Sequence, residues 1–95
     1  KKLQIKKRKK KMYNEQEVYI YIGKQIKQAR QTTFQHRVMP QRELAQAAGC
    51  TFQQIQKYEK ASNKVSLFKL HKIAEYTQKP LGYFVPNSVI NTISG

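Results

Sequence analysis

Cysteine is almost missing from this chain. Cys50 stands alone among 95 residues, so no disulfide framework can form within it and nothing argues for secretion. Acid is scarce as well: five acidic residues face nineteen Lys and Arg, for a net charge of +14 and a pI near 10.1. Those five are dispersed, which leaves no paired carboxylates for acid–base catalysis. His36, His71 and Cys50 are the strong transition-metal ligands, and they lie far apart without ligand spacing. No Gly-rich phosphate loop occurs. No apolar run approaches the roughly 18 residues of a membrane span, and the basic N-terminal stretch has no signal-peptide apolar core. The expectations are no catalysis, no metal, no cofactor, no membrane insertion, and a cytoplasmic, nucleoid-associated location.

What is abundant is positive charge on a domain-sized chain with 39% hydrophobic residues. Eight of the bases fall in the first eleven residues, and the rest of the chain still carries eleven bases against the five acids, or +6. Such a field favours polyanions, nucleic acid first and an anionic membrane surface second. Residues 1–12 are expected to be a basic, disordered arm, read either as a phosphate-grabbing extension or as a solubilising segment. Residues 13–85 are expected to fold, and 86–95 to be a weakly structured tail.

Val18 to Ile22 alone resembles a strand, being all β-branched or aromatic. Asn14 with Glu17 has capping-box spacing, and Ile22, Ile26 and Ala29 recur at helical intervals, so a helix is expected that fades near Thr32. Residues 33–40 read as a loop. A second helix is expected from Pro40 or Gln41, with Leu44, Ala45 and Ala48 inward and Gly49 as a left-handed stop. Thr51 and Gln54 repeat the capping-box spacing before a third helix that runs to Lys60 and buries Ile55 and Tyr58. Ser66 caps a fourth, with Leu67, Leu70, Ile73 and Ala74 inward and Phe68 in question. LGYFV after Pro80 suggests a short fifth helix.

Residues 41–60 therefore form two short helices joined by a tight turn. Ala45 is small where the helices cross, and Cys50 in the turn reads as a small apolar group, not a nucleophile. The outer face of the second helix of the pair carries Phe52, Gln53, Gln56, Lys57 and Lys60. Gln bonds adenine bidentately, Lys serves guanine or phosphate, and an apolar group touches a thymine methyl. A glutamine-rich face is also what solvent alone tolerates, and twelve glutamines are scattered through this chain. The small residue, the glycine, the apolar spacing and the basic field together favour DNA reading.

Residues 20–85 resemble the XRE family of helix-turn-helix regulators, the Cro and phage-repressor type. The likeness runs through IGKQIKQAR (22–30), QRELAQAAG (41–49), TFQQIQKYEK (51–60), NKVSLFKLHKIAE (63–75) and the Tyr83–Phe84 pair. Thr51 to Lys60 is especially similar to α-proteobacterial members. The resemblance implies an all-α, five-helix domain whose third helix reads the major groove of double-stranded DNA, often as a homodimer on a two-fold site, as a transcriptional repressor. It implies that Gln41 contacts phosphate and braces the reading helix. It places Thr51, Phe52, Gln53 and Lys57 at recognition positions, and Lys60, Asn63 and Lys64 in a backbone-contacting loop. It pairs Arg30 with Glu59. An alternative is an antitoxin that binds a toxin partner and represses its own operon. The chain departs from the family in a link from Arg30 to Gln41 about four residues longer than usual, in Pro40 for a Ser or Thr cap, and in Ala61 for a glycine, where a left-handed turn would be strained.

Overall fold

Asn14 opens the first helix as the spacing predicts. Its side chain accepts the Glu17 N–H at 2.8 Å and the Glu17 carboxylate accepts the Asn14 N–H at 3.1 Å. This computed structural model describes residues 12–32 and 37–87. The expected basic arm, apart from its last residue, and most of the C-terminal tail lie outside the described residues, as do residues 33–36. Helix α1 spans Glu15–Gln31. The β-branched run inside it is helical because Ile22, Ile26 and Ala29 share one buried face, and burial of that face outweighs local propensity. Thr32 closes the helix by donating its hydroxyl to the Gln28 carbonyl.

Helix α2 spans Gln41–Ala48 and α3 spans Phe52–Glu59. Pro40 precedes α2 with no side-chain cap bond, yet its fixed φ suits a helix start. Gly49 ends α2 at φ 76°, a left-handed conformation that glycine adopts without a Cβ penalty. Thr51 caps α3 by accepting the Gln54 N–H at 3.1 Å. Helix α4 spans Leu67–Thr77, with Ser66 accepting the Lys69 N–H.

Two expectations are corrected. Leu67 and Phe68 do not face inward; they are 71% and 66% exposed. The stripe that α4 buries is Leu70, Ile73, Ala74 and Thr77, and the first turn projects beyond the edge of the core. The described residues hold four α-helices, so the five-helix count is not confirmed, and LGYFV is not the fifth. Leu81–Tyr83 is one 3-10 turn, since Pro80 and Pro86 leave too little chain between them for the i→i+4 pattern. That turn still matters. It delivers Phe84 into the centre of the core, fully buried, and Gln25 of α1 donates to the Tyr83 carbonyl at 2.9 Å.

The core draws on every helix: Ile26 from α1, Leu44 from α2, Ile55 from α3, Ile73 from α4, and Phe84. Burying each such side chain contributes about 1.5–3 kcal/mol. α3 lies against both α1 and α2, and α4 against α2. The tightest of these contacts is at Gly23. A Cβ there would lie 2.5 Å from the Tyr58 carbonyl oxygen and 2.6 Å from that of Glu59, so only glycine lets α1 meet the last turn of α3.

Candidate nucleic-acid interface

The α2–turn–α3 unit is fixed by backbone and side-chain bonds. The Cys50 N–H reaches the Ala45 carbonyl at 2.9 Å. Lys69, from α4, donates its ammonium to the Ala48 carbonyl at 2.9 Å. A cation at a helix C-terminus is favourable there, because unpaired carbonyls gather at that end. Cys50 itself is half-buried, and burial pushes its thiol pKa up, with the nearby Lys69 partly offsetting that. A raised pKa is the opposite of what activates a thiol.

The far end of α3 is anchored by charge. Arg30 Nε bonds Glu59 Oε2 at 2.7 Å and Nη2 bonds Oε1 at 3.0 Å. The two side chains are 10% and 6% exposed. Arg30 Nη1 also reaches the Met39 carbonyl, and Gln41 Nε2 reaches Glu59 Oε1 at 3.1 Å. One carboxylate thus ties α1, the start of α2 and α3 together. Bidentate Arg–carboxylate geometry of this kind is directional as well as strong.

Between these two anchors α3 presents its outer side. Gln53, Lys57 and Lys60 are exposed, and Gln56 is half-exposed. Thr51 is exposed, but its hydroxyl is engaged in the cap. Phe52 is half-buried, packs against the core, and has the Arg42 guanidinium 4.2 Å above its ring centroid. Past α3 the chain turns through Ala61 at φ 60°, the left-handed conformation that carries a Cβ penalty. The turn closes when the Ser62 N–H donates to the Lys57 carbonyl at 2.8 Å. Asn63 and Lys64 are exposed beyond it. Lys64 is directed back to α1, where its ammonium meets Glu15 Oε2 at 2.6 Å, and the pair is open to solvent on both sides. Such pairs are weak and exchangeable.

Gln41 therefore braces α3, while Gln53, Gln56, Lys57, Lys60 and Asn63 sit on or next to the outer side of α3. Lys64 stands apart from them. Three contributors escaped the sequence pattern: Gly23, Lys69 and Arg42. Each acts across helices, and no spacing along the chain signals that. On the opposite side of α2, Glu43 accepts from Arg37 at 2.6 and 2.9 Å and from the Tyr76 hydroxyl at 2.6 Å. Those bonds hold its carboxyl at about 2, well below the ordinary range. Among the described residues, no three His, Cys, Asp or Glu side chains come together as a metal site would need. No helix there is long and apolar enough to cross a membrane.

A family model described as helix-turn-helix matches residues 26–84. The chain belongs to the XRE-type helix-turn-helix family. This XRE-type chain is 43% identical over 67 residues to an uncharacterised HTH-type transcriptional regulator of Sinorhizobium fredii, covering 70% of this chain and 44% of that protein. It is 36% identical over 64 residues to an uncharacterised transcriptional regulator in the ATPase CF(0) region of Rhodospirillum rubrum, covering 67% and 56%. It is 36% identical over 69 residues to an uncharacterised HTH-type regulator of Rickettsia conorii, covering 73% and 52%. These relatives are α-proteobacterial. The XRE-type chain spans about half the length of the curated relatives that it matches.

Proposed function

We propose that this chain binds double-stranded DNA by laying α3 in the major groove, and that it serves as a transcriptional repressor. The observation that carries the reading is the contrast along α3. Its inner side is buried through Ile55 and Tyr58, the turn before it is held by Lys69 on the Ala48 carbonyl, and its end is held by Arg30 and Gln41 on Glu59. Its outer side leaves Gln53 and Lys57 exposed. A rigid helix that presents amide and ammonium donors suits base edges, because less ordering is required on binding. The +6 charge of residues 12–95 draws the duplex in.

In this reading Gln53 and Gln56 contact bases, and Thr51 flanks them. Lys57 reaches guanine or phosphate. Gln41, Lys60, Asn63 and Lys64 meet the backbone, with Lys64 leaving Glu15 for phosphate. Two copies bind a two-fold site as a homodimer. Selection of bound sequences from a random duplex pool tests the reading, and a recovered palindrome supports the two-fold arrangement. Gln53→Ala is expected to lose about 1–3 kcal/mol at one position of the selected site and little on random DNA. Equal losses on both would remove Gln53 from base reading.

A further inference from the structure

Arg42 is an exposed cation on α2, and among the described residues no carboxylate holds it. Its recorded partner is the ring of Phe52 at the start of α3, with the guanidinium carbon 4.2 Å from the centroid. The two side chains share an open groove with Thr51 and Gln53. An unrestrained exposed arginine would surrender about 2 kcal/mol of rotamer entropy when it is fixed on a ligand. A stack on an aromatic face removes part of that loss in advance. It also leaves guanidinium N–H donors unspent, because among the described residues Arg42 donates no hydrogen bond and its contact to Phe52 is to the ring. The N–H edge of a guanidinium matches two oxygens of one phosphate.

We propose that Arg42 is a phosphate clamp beside the reading helix, and that Phe52 is its platform and not a thymine-methyl contact. The proposal rests on the DNA-binding reading above. It adds a cation that spacing along the chain does not reveal, and it gives Phe52 a positioning role.

The test measures binding of the intact chain to its selected duplex and to random duplex across a salt series, for Arg42→Ala, Lys57→Ala, Phe52→Leu, Phe52→Tyr and the double change Arg42→Ala with Phe52→Leu. Melting curves establish that each variant is folded. Arg42→Ala is expected to weaken both duplexes roughly tenfold and to lower the slope of log affinity against log salt by about 0.9. Phe52→Leu keeps the charge, so the slope should hold while affinity falls about two- to fivefold, the magnitude of an exposed cation–π contact. Phe52→Tyr keeps the ring and should restore most of the affinity that Phe52→Leu loses. In the Arg42→Ala background, Phe52→Leu should cause no further loss. An undiminished Phe52→Leu effect in that background would overturn the platform role. A loss from Arg42→Ala confined to the selected duplex would make Arg42 a base reader and overturn the phosphate assignment. If Arg42→Ala binds normally while Lys57→Ala is weakened, the clamp fails and the DNA reading stands. If the parent chain binds no duplex, the underlying reading fails.

Discussion

Glu59 accepts three hydrogen bonds, two from Arg30 and one from Gln41. Glu near a helix C-terminus is disfavoured by the helix dipole, so these partners are what make the residue tolerable there. Glu59→Gln keeps the shape, removes the charge and turns an amide N–H toward the arginine. Arg30, 8% exposed, would keep its bond to the Met39 carbonyl and at most one to the amide oxygen, with no carboxylate left to balance its charge. Stranding one member of such a pair typically costs about 3–5 kcal/mol, a large share of the ~5–15 kcal/mol that stabilises a domain. The expected result is a Tm lowered by more than about 10 °C, with DNA binding lost only as the fold is lost. A change within about 0.5 kcal/mol would place Glu59 with ordinary surface residues. Glu43 behaves differently because its side chain is 27% exposed, against 6% for that of Glu59. Arg37 and then Tyr76 lower its pKa from 4.5 to about 2. A depressed folded pKa means that the contribution is present in full above pH 4.5 and is lost as pH falls toward 2. Glu43→Gln should therefore be less stable than the parent at pH 7, with the gap closing in melts run at pH 2.5. A gap that persists at pH 2.5 would show that the carboxylate charge is not its source.

Gly23 shows how two elements depend on one missing methyl. Alanine is the better helix former by about 1 kcal/mol, which by itself would make Gly23→Ala stabilising. The new Cβ would meet the carbonyl oxygens of Tyr58 and Glu59 at 2.5 and 2.6 Å. Both are backbone, so α3 as a whole has to move, and overpacking of this kind typically costs about 1–3 kcal/mol. The prediction is a lower Tm for Gly23→Ala and weaker DNA binding at temperatures where the variant is still folded, because the displaced element carries Gln53 and Lys57. A higher Tm would mean that α1 and α3 separate without penalty. Gly23 also marks where sequence reading stops. Helix ends were legible because caps are local: Asn14 with Glu17, Gly49, Thr51 and Ser66 each act within three or four residues. The buried stripes of α1, α2 and α3 were legible from their period. The close approach of α1 to α3, the reach of Lys69 to the α2 terminus and the stack of Arg42 on Phe52 are contacts between elements, and spacing along the chain cannot express them. Leu67 and Phe68 extended the α4 stripe on paper, whereas the core ends one turn later at Leu70. The fifth helix failed for a local reason, the two prolines that bracket it. On the candidate surface, residue types suggested which side chains face outward, but not that Phe52 lies beneath a guanidinium or that Lys64 is held by Glu15.

Charge acts over the whole molecule, and here it is unevenly placed. Eight of nineteen bases lie in residues 1–11, and none of the five acids does. Polyanion binding by such a chain has two separable parts. In the proposed reading the helix-turn-helix body sets which sequence is preferred, through direct contacts at base edges. The proposed role of the N-terminal run is affinity without specificity: its bases would act through counterion release, and each neutralised phosphate adds about 0.9 to the slope of log affinity against log salt. Removing residues 1–11 should therefore flatten that slope by about 0.9 for every phosphate the run had met. It should weaken selected and random duplexes by the same factor and leave the selected sequence unchanged. Because screening shortens electrostatic reach to about 8–10 Å at physiological salt, the difference between the two chains should also shrink as salt rises. Binding curves at four or five salt concentrations check this directly. An identical slope with and without the run would assign those eight bases to solubility, and the whole of the salt dependence would then belong to the bases of residues 12–95, Arg42, Lys57, Lys60 and Lys64 among them.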